Sequence, residues 1–65
     1  MRIKLIIDQL IEERGLKHGY IAKKLNISER TLYKWRKGET LPRLDKAVEL
    51  AELLGVKITN IFEKE

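Results

Sequence analysis

Apolar residues along this chain recur with the period of a helix. Ile3, Ile6, Ile7, Leu10 and Ile11 fall at the i, i+3, i+4, i+7, i+8 spacing that lays a stripe along one helix face, and Gly15 stops the run. This predicts a first helix over about residues 2–14. Ile21, Ala22 and Leu25 mark a short second helix that begins near His18 and closes at Asn26, the residue that best replaces Gly in a left-handed C-terminal position. Ile27 is then an apolar residue in a tight link. Ser28 is a good N-cap and Glu29 suits the positive end of a helix dipole, so a third helix is predicted over about 29–37, stopped by Gly38. After a loop from Glu39 to Pro42, the residues Leu44, Ala47, Val48, Leu50, Ala51 and Leu54 give the strongest helical pattern of the chain, up to Gly55. A last short helix carries Ile58, Ile61 and Phe62 ahead of a charged tail. Strand-length alternation, repeats and low-complexity stretches are absent from this reading, so the expected fold is all-α, a compact five-helix arrangement forming a single domain over 1–65.

Size and composition narrow the function classes. A 65-residue chain buries only about 60% of the surface it exposes when unfolded, which leaves room for one small domain. With 43% apolar and 37% charged residues it is too hydrophobic for disorder and too charged for a membrane span. The absence of cysteine removes a disulfide framework, a thiolate nucleophile and a cysteine zinc site, and His18, the lone histidine, cannot build a multi-histidine metal site. No metal and no cofactor are expected. The start, Met1-Arg2-Ile3-Lys4, reaches Asp8 without the long apolar run of a secretory leader, so a reducing cytoplasm is the expected location. Met1 and the charged Glu63-Lys64-Glu65 end read as the two ends of a complete small chain.

Charge becomes informative once it is located. The net charge is +4, but residues 1–16 are balanced and residues 44–65 sum to −2. Residues 17–43 hold eight bases against Glu29 and Glu39, a net +6. Such a run is often only a solvated face. On a wheel of about 100° per residue, Thr31, Leu32 and Trp35 share one arc of the third helix, while Glu29, Arg30, Tyr33, Lys34 and Lys37 occupy the other. A helix of this length, with one apolar seam and a basic outer face rich in donors, is of the size that the major groove of B-DNA admits. Leu25-Asn26-Ile27-Ser28 makes a short turn between two short helices, the second carrying that basic face, which is the arrangement of a DNA-binding helix-turn-helix over about 18–37.

At this point a resemblance is visible. Gly15-Leu16, Ile21-Ala22-Lys23-Lys24-Leu25-Asn26-Ile27-Ser28, Thr31-Leu32, Trp35-Arg36-Lys37-Gly38, Pro42, Leu50-Ala51 and Leu54-Gly55-Val56, in this order and spacing, resemble the Cro and lambda-repressor-like helix-turn-helix family over nearly the whole chain. The resemblance implies a five-helix domain that binds a double-stranded DNA operator as a two-fold homodimer in a prokaryotic cytoplasm, with the third helix, 29–37, in the major groove. Carried over by position, it implies that Glu29, Arg30 and Lys34 read bases, with Ser28 and Tyr33 at more variable contacts. It implies that Lys17, His18, Lys37, Thr40 and Arg43 grip phosphates, the His18 site through its side chain and backbone N–H, with Lys23 and Lys24 adding positive field.

The residue chemistry agrees for some of these. Arg30 can make a bidentate pair with the O6 and N7 of guanine, and Lys34 can donate to the same acceptors, each good contact discriminating by about 1–3 kcal/mol. Glu29 has two readings, acceptor from a cytosine amino group or simple partner of the helix dipole. His18 is either a phosphate ligand or a plain solvent-facing side chain. Trp35 reads as core packing rather than a platform for single-stranded bases. Ile21, Ala22, Leu32, Val48, Ala51 and Leu54 also read as structural.

Two departures from the family pattern stand out. The family often pairs an Arg on the first helix with a Glu after the Trp, and this chain has Ile11 and Arg36 there, leaving Arg36 to find Glu12, Glu39 or a phosphate. The second helix lacks a Ser or Thr cap and begins Lys17-His18-Gly19-Tyr20, so its start is expected to fray or to be held by tertiary contacts. Closer approach of the backbone to DNA is one compensation for Gly19. For a dimer surface the candidates are Leu5, off the main seam of the first helix, and Leu53, Ile58 and Ile61 near the C-terminus, unless they finish the core.

The leading functional expectation is a sequence-specific transcriptional regulator, of repressor type, without room for an effector domain. The alternative is a protein-interaction module such as an antitoxin, whose protein partner matters more than DNA and whose acidic last third would serve that contact. An enzyme finds no support, because no nucleophile–base pair, zinc motif or phosphate-cradling glycine loop is present, and Glu12-Glu13 read as surface charge. A membrane-surface helix is also disfavoured, since the most amphipathic segments carry balanced or acidic outer faces.

Overall fold

The computed structural model describes residues 3–64, with side chains from residue 5 to residue 63. Three of the predicted helices lie where local chemistry puts them. In α2, His18–Leu25, the chain leaves through Asn26 in the left-handed conformation (φ 56°), which lets the Asn26 and Ile27 amides return to carbonyls of the last turn. In α3, Glu29–Lys37, the Ser28 hydroxyl accepts the Thr31 N–H at 3.0 Å. The longest helix, α4, runs Leu44–Leu54. Gly38 and Gly55 close the last two in the left-handed region that Cβ-bearing residues avoid.

The chain ends differ from expectation. The first helix, α1, is Asp8–Arg14, and the residues before it form a short strand, β1, Ile3–Leu5. The expected fifth helix reduces to a single 3-10 turn at Ile58–Asn60, followed by β2, Phe62–Lys64. The two strands pair antiparallel, with Leu5 opposite Phe62, and the Ile6 N–H continues the ladder to the Ile61 carbonyl at 2.8 Å. The fold is therefore mostly helical, with four α-helices and one two-stranded sheet among the described residues, rather than all-α with five helices. The stripe that read as one long helix is shared between a strand and a helix. Ile-Lys-Leu offers too few alternating positions to signal a strand by itself, and its partner lies at the other end of the chain.

One core joins these elements. Ile7, Ile11, Ile21, Leu32, Leu50, Leu54 and Ile61 are fully buried, with Leu5, Ala22, Leu25, Trp35, Ala47 and Ala51 beside them. Each large aliphatic side chain removed from water contributes about 1.5–3 kcal/mol. Leu5 and Ile61 thus finish the core, and Leu53 and Ile58 pack half-buried against it, so none of the four offers the free apolar surface considered for a dimer. Val48, expected inside, is 40% exposed, and Leu44 is 74% exposed. The helix is as predicted, but its buried stripe is Ala47, Leu50, Ala51 and Leu54.

Cations tie helices together at their C-terminal carbonyls, where the helix dipole favours them. Lys46 on α4 donates to the Leu25 carbonyl at the end of α2 at 2.6 Å, and Arg14 at the end of α1 donates to the Leu54 carbonyl at the end of α4. Lys46 also meets Glu49 at 3.2 Å.

Candidate nucleic-acid interface

Leu32 and Trp35 seat α3 on the core, and that fixes what the helix shows to solvent. Glu29, Arg30, Tyr33 and Lys37 are exposed and Lys34 is half-buried, so all five lie on or beside the outward face. Trp35 is in the core and is no base platform. Thr31 is half-buried beside the cap, its hydroxyl 2.8 Å from that of Ser28. Ser28 therefore already uses its oxygen within the helix start.

Three cations of this helix, Arg30, Lys34 and Lys37, stand without ion-pair partners. Arg36 pairs with Asp8, Arg43 with Asp45 and Lys46 with Glu49. Among the described residues, Lys17, Lys23, Lys24, Arg30, Lys34 and Lys37 are in no ion pair. Two of them lie over aromatic rings instead: the Lys37 Nζ is 5.5 Å from the Tyr33 ring centroid and the Lys24 Nζ is 5.7 Å from that of Tyr20. These contacts hold the ammonium groups at the surface without neutralising them. Lys17 and His18 stand at the start of α2, while Thr40 and Arg43 follow the end of α3, so candidate phosphate ligands flank the outward helix in sequence on both sides. Lys23 is exposed near the other end of α2, and no described contact joins it to this set.

The uncapped start of α2 is held by tertiary contact, as one of the two expectations had it. Lys17 makes no side-chain cap bond. The His18 Nε2–H donates to the Glu29 carbonyl at 2.8 Å, and His18 Nδ1 accepts from the Arg36 guanidinium at 3.2 Å. Both ring nitrogens are used within the protein, so His18 is not a plain solvent-facing side chain; a phosphate contact from the ring would have to displace one of these bonds, whereas one from the backbone N–H would not. The Glu29 carboxylate lies 3.6 Å from where a Cβ of Gly19 would be, which brings a negative charge to the first turn of α2. Glu29 is thus a dipole partner of the neighbouring helix as well as the first residue of its own.

Of the protein partners considered, Arg36 takes neither Glu12 nor Glu39, and the reason is proximity. Its Nε donates to Asp8, at the start of α1, and the rest of its guanidinium reaches His18. An ion pair between the first and third helices therefore exists with its polarity reversed, the acid on α1 and the base on α3. Arg43 is exposed and bound to Asp45 at 3.0 Å. That hydrogen-bonded pairing lowers the Asp45 carboxyl below its ordinary range and raises the Arg43 guanidinium. Sequence reasoning missed Asp8, Lys46 and Arg14, since each acts through a partner far along the chain.

Among the described residues no three His, Asp or Glu side chains gather as a metal site, and no helix is long and apolar enough to cross a membrane. A family model described as helix-turn-helix matches residues 7–61. Among solved structures, a protein from Bacteroides fragilis provisionally assigned as DNA-binding is similar, at 26% identity and a TM-score of 0.90 over 95% of this chain and 100% of that one. A transcriptional regulator from Listeria innocua is similar at 33% identity and a TM-score of 0.80 over 91% of this chain. The present chain spans 57% of that regulator. No match was found among curated proteins. With the match covering most of the chain and the helix pair built as described, the chain belongs to the Cro and lambda-repressor-like helix-turn-helix family, a family of DNA-binding transcription-regulator domains rather than of enzymes.

Proposed function

We propose that this protein is a sequence-specific reader of double-stranded DNA that represses transcription by occupying its operator as a two-fold dimer, with α3 in the major groove. The observation that carries this reading is the outward face of α3, where Arg30, Lys34 and Lys37 stand without ion-pair partners on a helix pinned by Leu32 and Trp35. Arg30 and Lys34 are assigned to guanine edges, and Tyr33 and Ser28 to adjoining contacts. Glu29 would have to leave Gly19 to accept from a cytosine.

Lys17, Lys37, Thr40 and the backbone N–H of His18 are assigned to phosphates, with Lys23 contributing field. Arg43 joins them, though Asp45 already takes part of its charge. A dimer would read half-sites one helical turn apart, about 34–36 Å.

Selection of bound sequences from a randomised duplex pool at about 150 mM salt, with Arg30→Ala in parallel, tests the reading. A palindromic motif relaxed at one base pair in the variant supports it. No enrichment at any protein concentration would refute it and favour a protein-interaction module.

A further inference from the structure

Three large apolar side chains remain in water around the start of α4. Leu41, Leu44 and Val48 are 54%, 74% and 40% exposed. Leu44 and Val48 stand one turn apart and share one stripe of the helix, and Leu41 lies three residues earlier in the segment arriving from α3. The core has no use for them, because α4 packs through its other stripe. Among the described residues the other exposed large apolar side chains are those of Tyr20 and Tyr33, which are engaged by Lys24 and Lys37.

We propose that this stripe is the seam at which a second copy of the chain docks, α4 antiparallel to α4; the proposal rests on the dimeric DNA-reader reading above and names its interface. Charge is the first argument for a second copy as the occupant. Arg43 is exposed at the N-terminal end of the stripe, where Asp45 shares its charge, and Glu52, in no described ion pair, is exposed one turn beyond Val48 on the same stripe. A two-fold axis across the stripe runs one α4 against the other, bringing Leu44 of one copy to Val48 of the second and Arg43 of one copy to the acidic end of the other. Such a surface is complementary to itself under rotation, as an isologous contact requires.

Size is the second argument. The domain measures 32 × 21 × 20 Å. Two bodies of these dimensions on half-sites about 34–36 Å apart stand within touching range, which lets a flank of the reading helix carry the contact. Leu41 belongs to the segment that joins α3 to α4, and pairing there sets the distance between the two reading helices. Three side chains per copy fall well short of the roughly 800 Å² that a stable partner buries, so the free protein associates weakly and the dimer forms on DNA, where adjacent half-sites raise the effective concentration.

The test compares the full chain with Leu44→Ser/Val48→Ser, both exposed positions whose replacement leaves the core intact, with helical content checked by circular dichroism. Binding is measured on the selected palindrome and on a duplex holding one half-site. Losing two apolar groups from each copy, four across the seam and each worth about tenfold when buried, should abolish cooperativity and cost up to about 10⁴-fold on the palindrome, with the half-site affinity unchanged. A variant as cooperative as the parent overturns the seam.

Solution cross-linking separates this failure from failure of the DNA-reader reading, because it needs no DNA. The chain has no cysteine, so Leu44→Cys and Glu12→Cys each carry one thiol for a short bismaleimide at about 1 mM protein, a concentration at which even weak contacts are populated. Cross-linked dimer from Leu44→Cys and not from Glu12→Cys supports the seam even if no duplex is bound. Equal yields, or none from either, overturn it.

Discussion

Gly19 and Gly38 should respond in opposite directions to the same chemical change. Gly19 is the second residue of α2, in ordinary helical backbone, and a Cβ there would meet only the Glu29 carboxylate at 3.6 Å, ordinary van der Waals contact. Ala lowers the backbone entropy of the unfolded chain and fits the helix, so Gly19→Ala should stabilise the fold by about 0.5–1 kcal/mol. For a domain of this size that raises the melting temperature by about 2–8 °C. Gly38 sits at φ 79° with nothing within 4 Å of a Cβ, so its substitution meets a backbone penalty and no clash. Gly38→Ala should lose about 1–2 kcal/mol. Thermal unfolding by far-UV circular dichroism, with urea titration to check that the transition stays two-state, measures both. A lowered melting temperature for Gly19→Ala, or a raised one for Gly38→Ala, would refute the reasoning. Duplex binding by Gly19→Ala adds a functional readout: because Gly19 adjoins the proposed His18 amide contact, affinity for all sequences should fall although the protein is more stable.

Arg30→Ala is expected to relax preference at one base pair, whereas Lys37→Ala should weaken all duplexes about equally and lower the salt slope by about one; equal losses on operator and random DNA for Arg30→Ala would remove it from the base-reading set. Affinity of the parent should drop by about 10³–10⁵ between about 50 and 200 mM salt if 6–10 phosphates are contacted, and a flat profile would count against phosphate anchoring. Ser28→Ala should cost about 1 kcal/mol in urea unfolding through loss of the Thr31 N–H cap. Asp45 is held below its ordinary 3.8 by Arg43, so its pairing stabilises the fold above that value and the contribution disappears as pH falls through the folded one. In an NMR titration Arg43→Gln should return Asp45 toward 3.8, and no change would show that the pair does not persist in solution.

The middle of the fold was legible because its signals are local. Asn26, Ser28, Gly38 and Gly55 act on backbone groups within a turn of themselves, and the ends of α2, α3 and α4 fall where those residues place them. The chain ends were not legible, because β1 exists through pairing with β2 at the far end of the sequence, and three residues carry no independent strand signal. Leu44 and Val48 illustrate a second limit. A helix wheel shows that apolar residues share an arc, but which part of the arc is covered depends on where α2 and the 3-10 turn dock. Periodicity therefore predicted the helix and misassigned two residues of its buried face.

The outer face of α3 could be read from the wheel, whereas the groups that steady it could not. Helix α2 has neither a capping side chain nor an acid of its own in the first turn, and what holds it arrives from α3: the Glu29 carbonyl on His18, the Glu29 carboxylate beside Gly19, and Arg36 linking His18 to Asp8. Each of these residues has an exposed or half-exposed side chain next to the proposed DNA surface. Positioning of α2 against α3 and presentation of the reading face are therefore not independent. A change at Glu29 made to alter base preference also withdraws the negative charge from the start of α2, and its effect on phosphate contacts there should accompany any effect on sequence preference. By contrast Arg30 is exposed and makes no described hydrogen bond, ion pair or cation–π contact with another side chain, so its replacement should isolate base reading from the geometry of the helix pair.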